Sequence, residues 1–202
     1  MTFAAVVIAG YLLGSCPWGY WLVRIFRGVD IRKFGSGNIG ATNVWRTFGR
    51  TLGLTVVLLD VAKGFAPALV GDLAVSQLCG LAAGGAAMLG HWRPLFLRFE
   101  RGGKMVATAA GVYLAIAPWA ALVGGVVWWL LFLTSRYVSL ASVVTALALP
   151  AIAAALGYST PVIIFSACAA VGVLVLHRGN LRRLRAGTEN RARLRRTARS
   201  SA

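Results

Sequence analysis

Two long stretches without a single charged residue constrain this chain more than any other feature. Residues 105–135 and 138–176 are uncharged over 31 and 39 positions. A helix rises 1.5 Å per residue, so a hydrocarbon core roughly 30 Å thick is crossed by about 20 residues. As one straight helix the shorter stretch would reach about 46 Å, too long for a single crossing. Pro118 lies near its middle and breaks it there. The longer stretch contains Gly157-Tyr158-Ser159-Thr160-Pro161, a turn signal that divides it in two. Upstream, 3–23, 51–71 and 73–90 make three further apolar spans, the second interrupted by Asp60 and Lys63. The expectation is an all-α polytopic membrane bundle of seven transmembrane helices. Its first span lacks the basic leader of a removable signal peptide and is expected to stay.

Composition points the same way. Charged residues are 13% of the chain, against roughly 25% in a soluble domain. With 58% hydrophobic residues the chain is not a disordered basic tail either. The net charge of +16 is concentrated. Arg24, Arg27, Arg32, Lys33, Arg46 and Arg50 fall between the first two spans. Arg93, Arg98, Arg101 and Lys104 follow the third, Arg136 the fifth, and nine arginines the last. The alternate connections, near Asp72, Pro118 and 157–161, contain no lysine or arginine. Seven spans place every cationic connection on one side, whereas six would strand the tail with the uncharged amino terminus. The positive-inside rule then predicts an external amino terminus and a cytoplasmic carboxy terminus. Residues 1–191 form one integral-membrane domain and 192–202 a basic tail, in solvent or against anionic lipid. Gly10/Gly14 and Gly80/Gly84 have the spacing of close helix contacts. Cys16, Cys79 and Cys168 lie in apolar stretches without metal-ligand spacing, so neither a metal nor a cofactor is expected.

Polar residues gather on the basic side in four clusters. Gly35-Ser36-Gly37-Asn38-Ile39-Gly40-Ala41-Thr42-Asn43 interleaves glycines with hydroxyl and amide donors. Such a loop turns its N–H groups toward an anion, with Arg46 just beyond to supply charge. It is neither a Walker A loop nor a GxGxxG fingerprint, so no nucleotide is implied. Gly102-Gly103-Lys104 opens a hydrophobic helix and combines free backbone donors, a positive helix end and an ammonium, as a phosphate requires. Lys104 as a simple membrane-boundary anchor is the competing reading. The third cluster, Arg136 to Ser142, starts another helix, where serine alone would serve as a cap. The fourth runs from His177 through Asn180 to Glu189. His91 and His177, the only histidines, are each either proton carriers or structural residues. Asp60 and Lys63, three apart on one helical face, are expected to pair inside the bundle.

With these clusters the sequence resembles the bacterial acyl-phosphate:glycerol-3-phosphate acyltransferase family. The resemblance rests on residues 35–43, on Gly90-His91 through Gly102-Gly103-Lys104 and Val106-Ala107-Thr108, on Ser139-Leu140-Ala141-Ser142, and on His177-Arg178-Gly179-Asn180 through Glu189. Asp60 and Lys63 in Leu59-Asp60-Val61-Ala62-Lys63-Gly64 also look like the family. Two departures stand out: Met105 occupies a position that is usually glycine, and 99–102 is one residue longer than usual.

The resemblance implies a seven-helix inner-membrane enzyme with its active site at the cytoplasmic face. It would move a fatty acyl group from acyl phosphate to the 1-hydroxyl of sn-glycerol 3-phosphate, giving lysophosphatidic acid and phosphate. Gly102, Gly103 and Lys104 would take the phosphate of glycerol 3-phosphate. Ser36 and Arg46 would hold one of the two phosphates, in a loop of Gly37 shaped by Asn38 and Asn43. Ser142, His177 and Asn180 would complete the pocket, and Glu189 would brace the junction with the tail. Either His177 or an acyl phosphate oxygen would take the hydroxyl proton. The His-x4-Asp pair of other glycerol-phosphate acyltransferases is missing: Phe96 follows His91 and Arg182 follows His177 at that spacing. The partners expected are acyl phosphate, glycerol 3-phosphate and membrane lipid. A transporter or channel for phosphorylated solutes is the alternative class, although no internal repeat supports it. Nucleic acid is excluded as a partner, because the tail lacks an aromatic platform.

Overall fold

The computed structural model describes residues 2–192, so all of the basic tail but Ala192 lies outside the described residues. Within them the chain is helical, without strands. Ten helices follow in order: α1 (Phe3–Gly14), α2 (Trp18–Arg27), α3 (Ala41–Phe48), α4 (Arg50–Ala74), α5 (Gln77–Trp92), α6 (Val106–Ile116), α7 (Pro118–Ser135), α8 (Val138–Ala155), α9 (Thr160–Leu176) and α10 (Arg178–Arg185). Single 3-10 turns at Ile31–Lys33 and Leu95–Leu97 interrupt the first two basic connections.

The breaks fall where backbone chemistry dictates. Pro118, which has no N–H to give, starts α7 after the single linking residue Ala117. Gly157 turns at φ +73° before Pro161 opens α9. Pro17 divides α1 from α2, and the carbonyl of Cys16 there accepts from both Trp18 N, at 3.0 Å, and Lys63 Nζ, at 2.9 Å. Two expectations shift. Asp72 lies inside α4 rather than in a connection, since the turn comes only at Ser76, whose hydroxyl accepts from Cys79 N. The stretch 24–50 is not a plain loop, because it holds the end of α2 and all of α3, both strongly amphipathic.

Among the described residues, four segments are long and apolar enough to cross a membrane by themselves: Phe3–Arg27, Arg50–Ala74, Pro118–Ser135 and Val138–Ala155. Thr160–Leu176 qualifies only together with α10, from which it bends by 59°. At 16 and 11 residues, α5 and α6 are shorter than a full crossing, α6 spanning roughly 16 Å. The expected number of spans therefore exceeds what length and hydropathy alone identify.

Helix α4 is central and packs on α1, α5 and α6, while α8 pairs with α7 and α9. Small residues set these distances. A Cβ added at Gly14 would lie 2.2 Å from the Ala87 carbonyl oxygen, and one at Gly10 would lie 2.5 Å from that of Ala83, so α1 and α5 touch backbone to backbone. Gly80 meets the Ala68 carbonyl, and Gly64 and Gly111 seal α4 against α6. The core beneath centres on Met105, Val112, Tyr113, Ala120, Val162 and Ala169.

The connections sort into two ends. At one, Trp119 N donates to Tyr158 Oη at 3.2 Å and Ser159 Oγ to Gln77 Oε1, joining three connections without a cation. At the other, every basic connection is tied to another. Asn38 Nδ2 donates to the Gly102 carbonyl, Arg32 pairs with Glu100, and Ala192 N donates to the Arg136 carbonyl.

Candidate active site

The glycine-rich loop is held from inside by one side chain. Buried Asn43 accepts from Ser36 N at 3.0 Å and donates to the carbonyls of Phe34 and Asn38, at 3.0 and 2.9 Å. Gly35 and Gly37 turn at φ +59° and +68°, a conformation costly for other residues. A Cβ at Gly35 would collide with Asn43 Oδ1. Asn38 works outward: it accepts from Gly40 N at 2.8 Å and reaches Gly102 O at 3.0 Å. Ser36 and Arg46 stand exposed on this frame, Ser36 on the loop and Arg46 in the last turn of α3. The Ser36 N–H and the Gly37 N–H, which donates to Phe34 O, are thus spent within the turn.

The Gly-Gly-Lys step differs from its expected form in the same way. Gly102 N donates to Trp92 O at 2.8 Å and Gly103 N to His91 O at 2.9 Å, so neither amide is free for an anion. Both glycines serve close packing instead, since a Cβ would lie 2.1 Å from His91 O at Gly102 and 1.9 Å from His91 Nε2 at Gly103. Lys104 comes next in the chain, half-buried in front of α6. Met105 then takes φ +68°, the left-handed region, and sinks its side chain into the core beside Gly172.

Lys104 Nζ donates to Asn180 Oδ1. Asn180 Nδ2 donates to Glu189 Oε1 at 2.6 Å, the same oxygen accepts from Ser139 Oγ at 2.8 Å, and Arg183 Nε reaches Glu189 Oε2 at 2.7 Å. Burial lowers the Lys104 pKa to about 8; Glu189 pulls it up, while Arg183, Arg101 and Arg46 press it down. Glu189 itself titrates below the ordinary carboxylate range, since bonds from Asn180, Ser139 and Arg183 outweigh its own burial. Lys104 therefore feels three cations and one carboxylate. The surplus of positive charge, with the Lys104 ammonium itself half-buried, is what a phosphate neutralises.

His177 caps the junction of α9 and α10, and its buried Nδ1 donates to Val173 O at 2.8 Å. That bond leaves Nε2 as the unprotonated nitrogen. Burial, with Lys104 adding to it, lowers its pKa to about 4, so it is neutral at physiological pH. Ser142 stands apart from the Lys104 network. Its hydroxyl donates to Val138 O and accepts from Trp128 Nε1, clipping α8 to α7. The serine in contact with the network is Ser139, which belongs to the Ser-Leu-Ala-Ser motif but is not among the expected site residues, and Arg183 joins it too. The signal for Ser139 is its place in the first turn of α8, and that for Arg183 is hidden among the other arginines. Asp60 and Lys63 form the expected buried ion pair at 2.8 Å, with His91 Nδ1 3.6 Å from Asp60 Oδ1. An open apolar groove of about 730 Å³ runs along α6 and α7, past Trp119, Val126 and Trp129, and shares no residue with the polar cluster.

The profile of the glycerol-3-phosphate acyltransferase family matches residues 4–187. A glycerol-3-phosphate acyltransferase of Desulforamulus reducens is 43% identical over 190 residues, 94% of each chain. One of Geobacter sulfurreducens is 47% identical over 182 residues, 90% of this chain and 93% of the other. Among solved structures, that of PlsY (YgiH), an integral membrane glycerol 3-phosphate acyltransferase, in its glycerol 3-phosphate form, superposes with a TM-score of 0.91 at 39% identity. It covers 95% of this chain and 96% of its own. The lysophosphatidic acid form of PlsY gives 0.87 at the same identity, over 94% of each chain. On a match that runs from the first helix through Asn180, the chain belongs to the glycerol-3-phosphate acyltransferase family.

Proposed function

We propose that the protein transfers a fatty acyl group from acyl phosphate to the 1-hydroxyl of sn-glycerol 3-phosphate, releasing lysophosphatidic acid and inorganic phosphate. The observation that carries this reading is the half-buried Lys104, bonded to Asn180 and outnumbering, with Arg46, Arg101 and Arg183, the lone Glu189. The resemblance supports it, as do the known relatives, which are named for acyl transfer to glycerol 3-phosphate. No observation favours a transporter.

Lys104 takes the phosphate of glycerol 3-phosphate, and Gly102 and Gly103 serve it by letting the loop lie flat on α5. Ser36 and Arg46, presented by the Asn43-braced turn, hold the phosphate of the donor, with Gly37 and Asn38 setting its shape. Asn180 and His177 close the pocket. Ser139 takes the place expected of Ser142, and Glu189 braces Asn180. The acceptor hydroxyl attacks the acyl carbon, the C–O bond to phosphate breaks, and the hydroxyl proton leaves. We assign that proton to an acyl phosphate oxygen, because a histidine with a pKa of about 4 is a weak base. A mixed anhydride already carries its leaving group, so positioning and charge lower the barrier without a covalent enzyme intermediate.

The basic end is assigned to the cytoplasmic side of the inner membrane and the amino terminus to the outside, with seven spans. The helix ends support this count: α1 with α2, and then α4 through α9, alternate between a cation-free end and a basic one. Residues 1–191 are taken as one catalytic membrane domain, with acyl chains entering from the lipid. Lys104→Ala is expected to raise the KM for glycerol 3-phosphate by about 10–100-fold, the worth of one charge-assisted phosphate contact. Phosphate release by purified protein, followed against glycerol 3-phosphate concentration, checks this. An unchanged KM would remove the phosphate from Lys104.

A further inference from the structure

Three ionisable side chains lie deep in the bundle and take no part in the proposed reaction. Asp60, Lys63 and His91 are 2%, 4% and 4% exposed. Buried charges are costly unless paired, and an apolar trio of equal volume would hold helices together as well or better. Their placement therefore calls for a reason beyond cohesion. Lys63 pairs with Asp60 and spends a hydrogen bond on the Cys16 carbonyl, at the break between α1 and α2. Asp60 Oδ1 faces His91 Nδ1 at 3.6 Å, close enough to orient the ring electrostatically though beyond a hydrogen bond. The opposite edge of that ring points at the Gly-Gly-Lys loop, where Gly103 leaves no room for even a Cβ beside Nε2. The main chain of His91 holds the same loop by accepting from Gly103 N.

We infer that His91 is a positioning residue for glycerol 3-phosphate: its ring is the floor on which Gly103 rests, fixed from below by the Asp60–Lys63 pair, and it sets where Lys104 stands. The inference rests on the proposed role of Lys104. A floor that yields lets the loop settle toward α5 and draws the ammonium away from the phosphate. Displacements of about 1 Å from the productive geometry suffice for large losses. The ring's shape, rather than its proton, carries the effect.

The test compares His91→Ala, which removes the floor, with His91→Phe, which keeps a ring of similar size. Both are assayed beside Lys104→Ala at saturating acyl phosphate. Loss of the floor should raise the KM for glycerol 3-phosphate about tenfold with kcat changed less than about threefold, and His91→Phe should stay within about threefold of wild type in KM. A role in stability alone would lower the melting temperature of His91→Ala and leave KM within about twofold, which overturns the inference. So would His91→Phe losing as much affinity as His91→Ala. If His91→Ala yields no folded protein, His91→Asn, which can still face Asp60 but lacks the ring, is judged by the same criterion. An unmoved KM in Lys104→Ala refutes the phosphate assignment itself. A raised KM there with an unmoved one in the floorless variant refutes only the role of His91.

Discussion

Lys104 is an ammonium whose neighbours are mostly of its own sign, and its chemistry follows from that crowding. Its pKa of about 8 means that the free enzyme carries this charge at neutral pH and sheds it just above. A phosphate ligand favours the charged form, so kcat/KM for glycerol 3-phosphate should fall about tenfold per pH unit above roughly pH 8. Lys104→Arg, with a guanidinium that does not titrate in this range, should push that alkaline limb upward. A kcat/KM that stays level to pH 9.5 in the wild type would contradict the lowered pKa. His177 should add no ionisation between pH 5 and 8, since its own pKa lies near 4. The sequence makes Lys104 conspicuous, but it misdirects attention to the amides beside it. A Gly-Gly step reads as a pair of free donors, and only the fold shows those donors already taken by α5. The exchange of Ser142 for Ser139 has a similar cause. Three residues apart at a helix start, the two serines look equivalent until Trp128 claims one and Glu189 the other.

Among the helices, glycine positions decide how near neighbours come, and this much is legible from spacing alone. Gly10 and Gly14 face Ala83 and Ala87 on α5, and Gly80 and Gly84 face α4 and α6. Gly14→Leu would push its side chain into the Ala87 backbone and separate α1 from α5. Overpacking of this kind costs about 1–3 kcal/mol, so the melting temperature in detergent should drop while the KM for glycerol 3-phosphate of the surviving folded protein changes little. An unaltered melting temperature would mean that α1 is not held by this contact. The proline breaks at 118 and 161 are equally readable, because a missing N–H acts locally. Spacing does not reveal the division of the first span at Pro17. Nor does it show that Lys63, 47 residues away, bonds the carbonyl beside that break. Spacing likewise fails to show that 24–50 holds a complete amphipathic helix, α3, whose apolar face needs the bundle or the lipid to define it.

For the molecule as a whole, the separation of charge is also a statement about orientation. If the basic end is cytoplasmic, an impermeant thiol reagent applied to intact spheroplasts should label Thr2→Cys and Ser159→Cys but spare Arg50→Cys and Arg98→Cys. The reverse pattern, or equal labelling of all four, would overturn the proposed topology. The sequence foretells this polarity because cations are counted per connection and need no coordinates. It does not foretell how the connections join, since hydrogen bonds such as Asn38 to Gly102 and Lys104 to Asn180 link residues 64 and 76 positions apart.

Glu189 stands late in the chain, yet it bonds Asn180, Ser139 and Arg183 and, through Asn180, steadies Lys104. A ribosome adding roughly 5–20 residues per second delivers it on the order of 8–30 s after the glycine-rich loop. For that interval the growing protein holds a membrane segment with donors and cations in place but no complete pocket. A nascent chain of this kind cannot set Asn180 and Lys104 in their final places until Glu189 has been added.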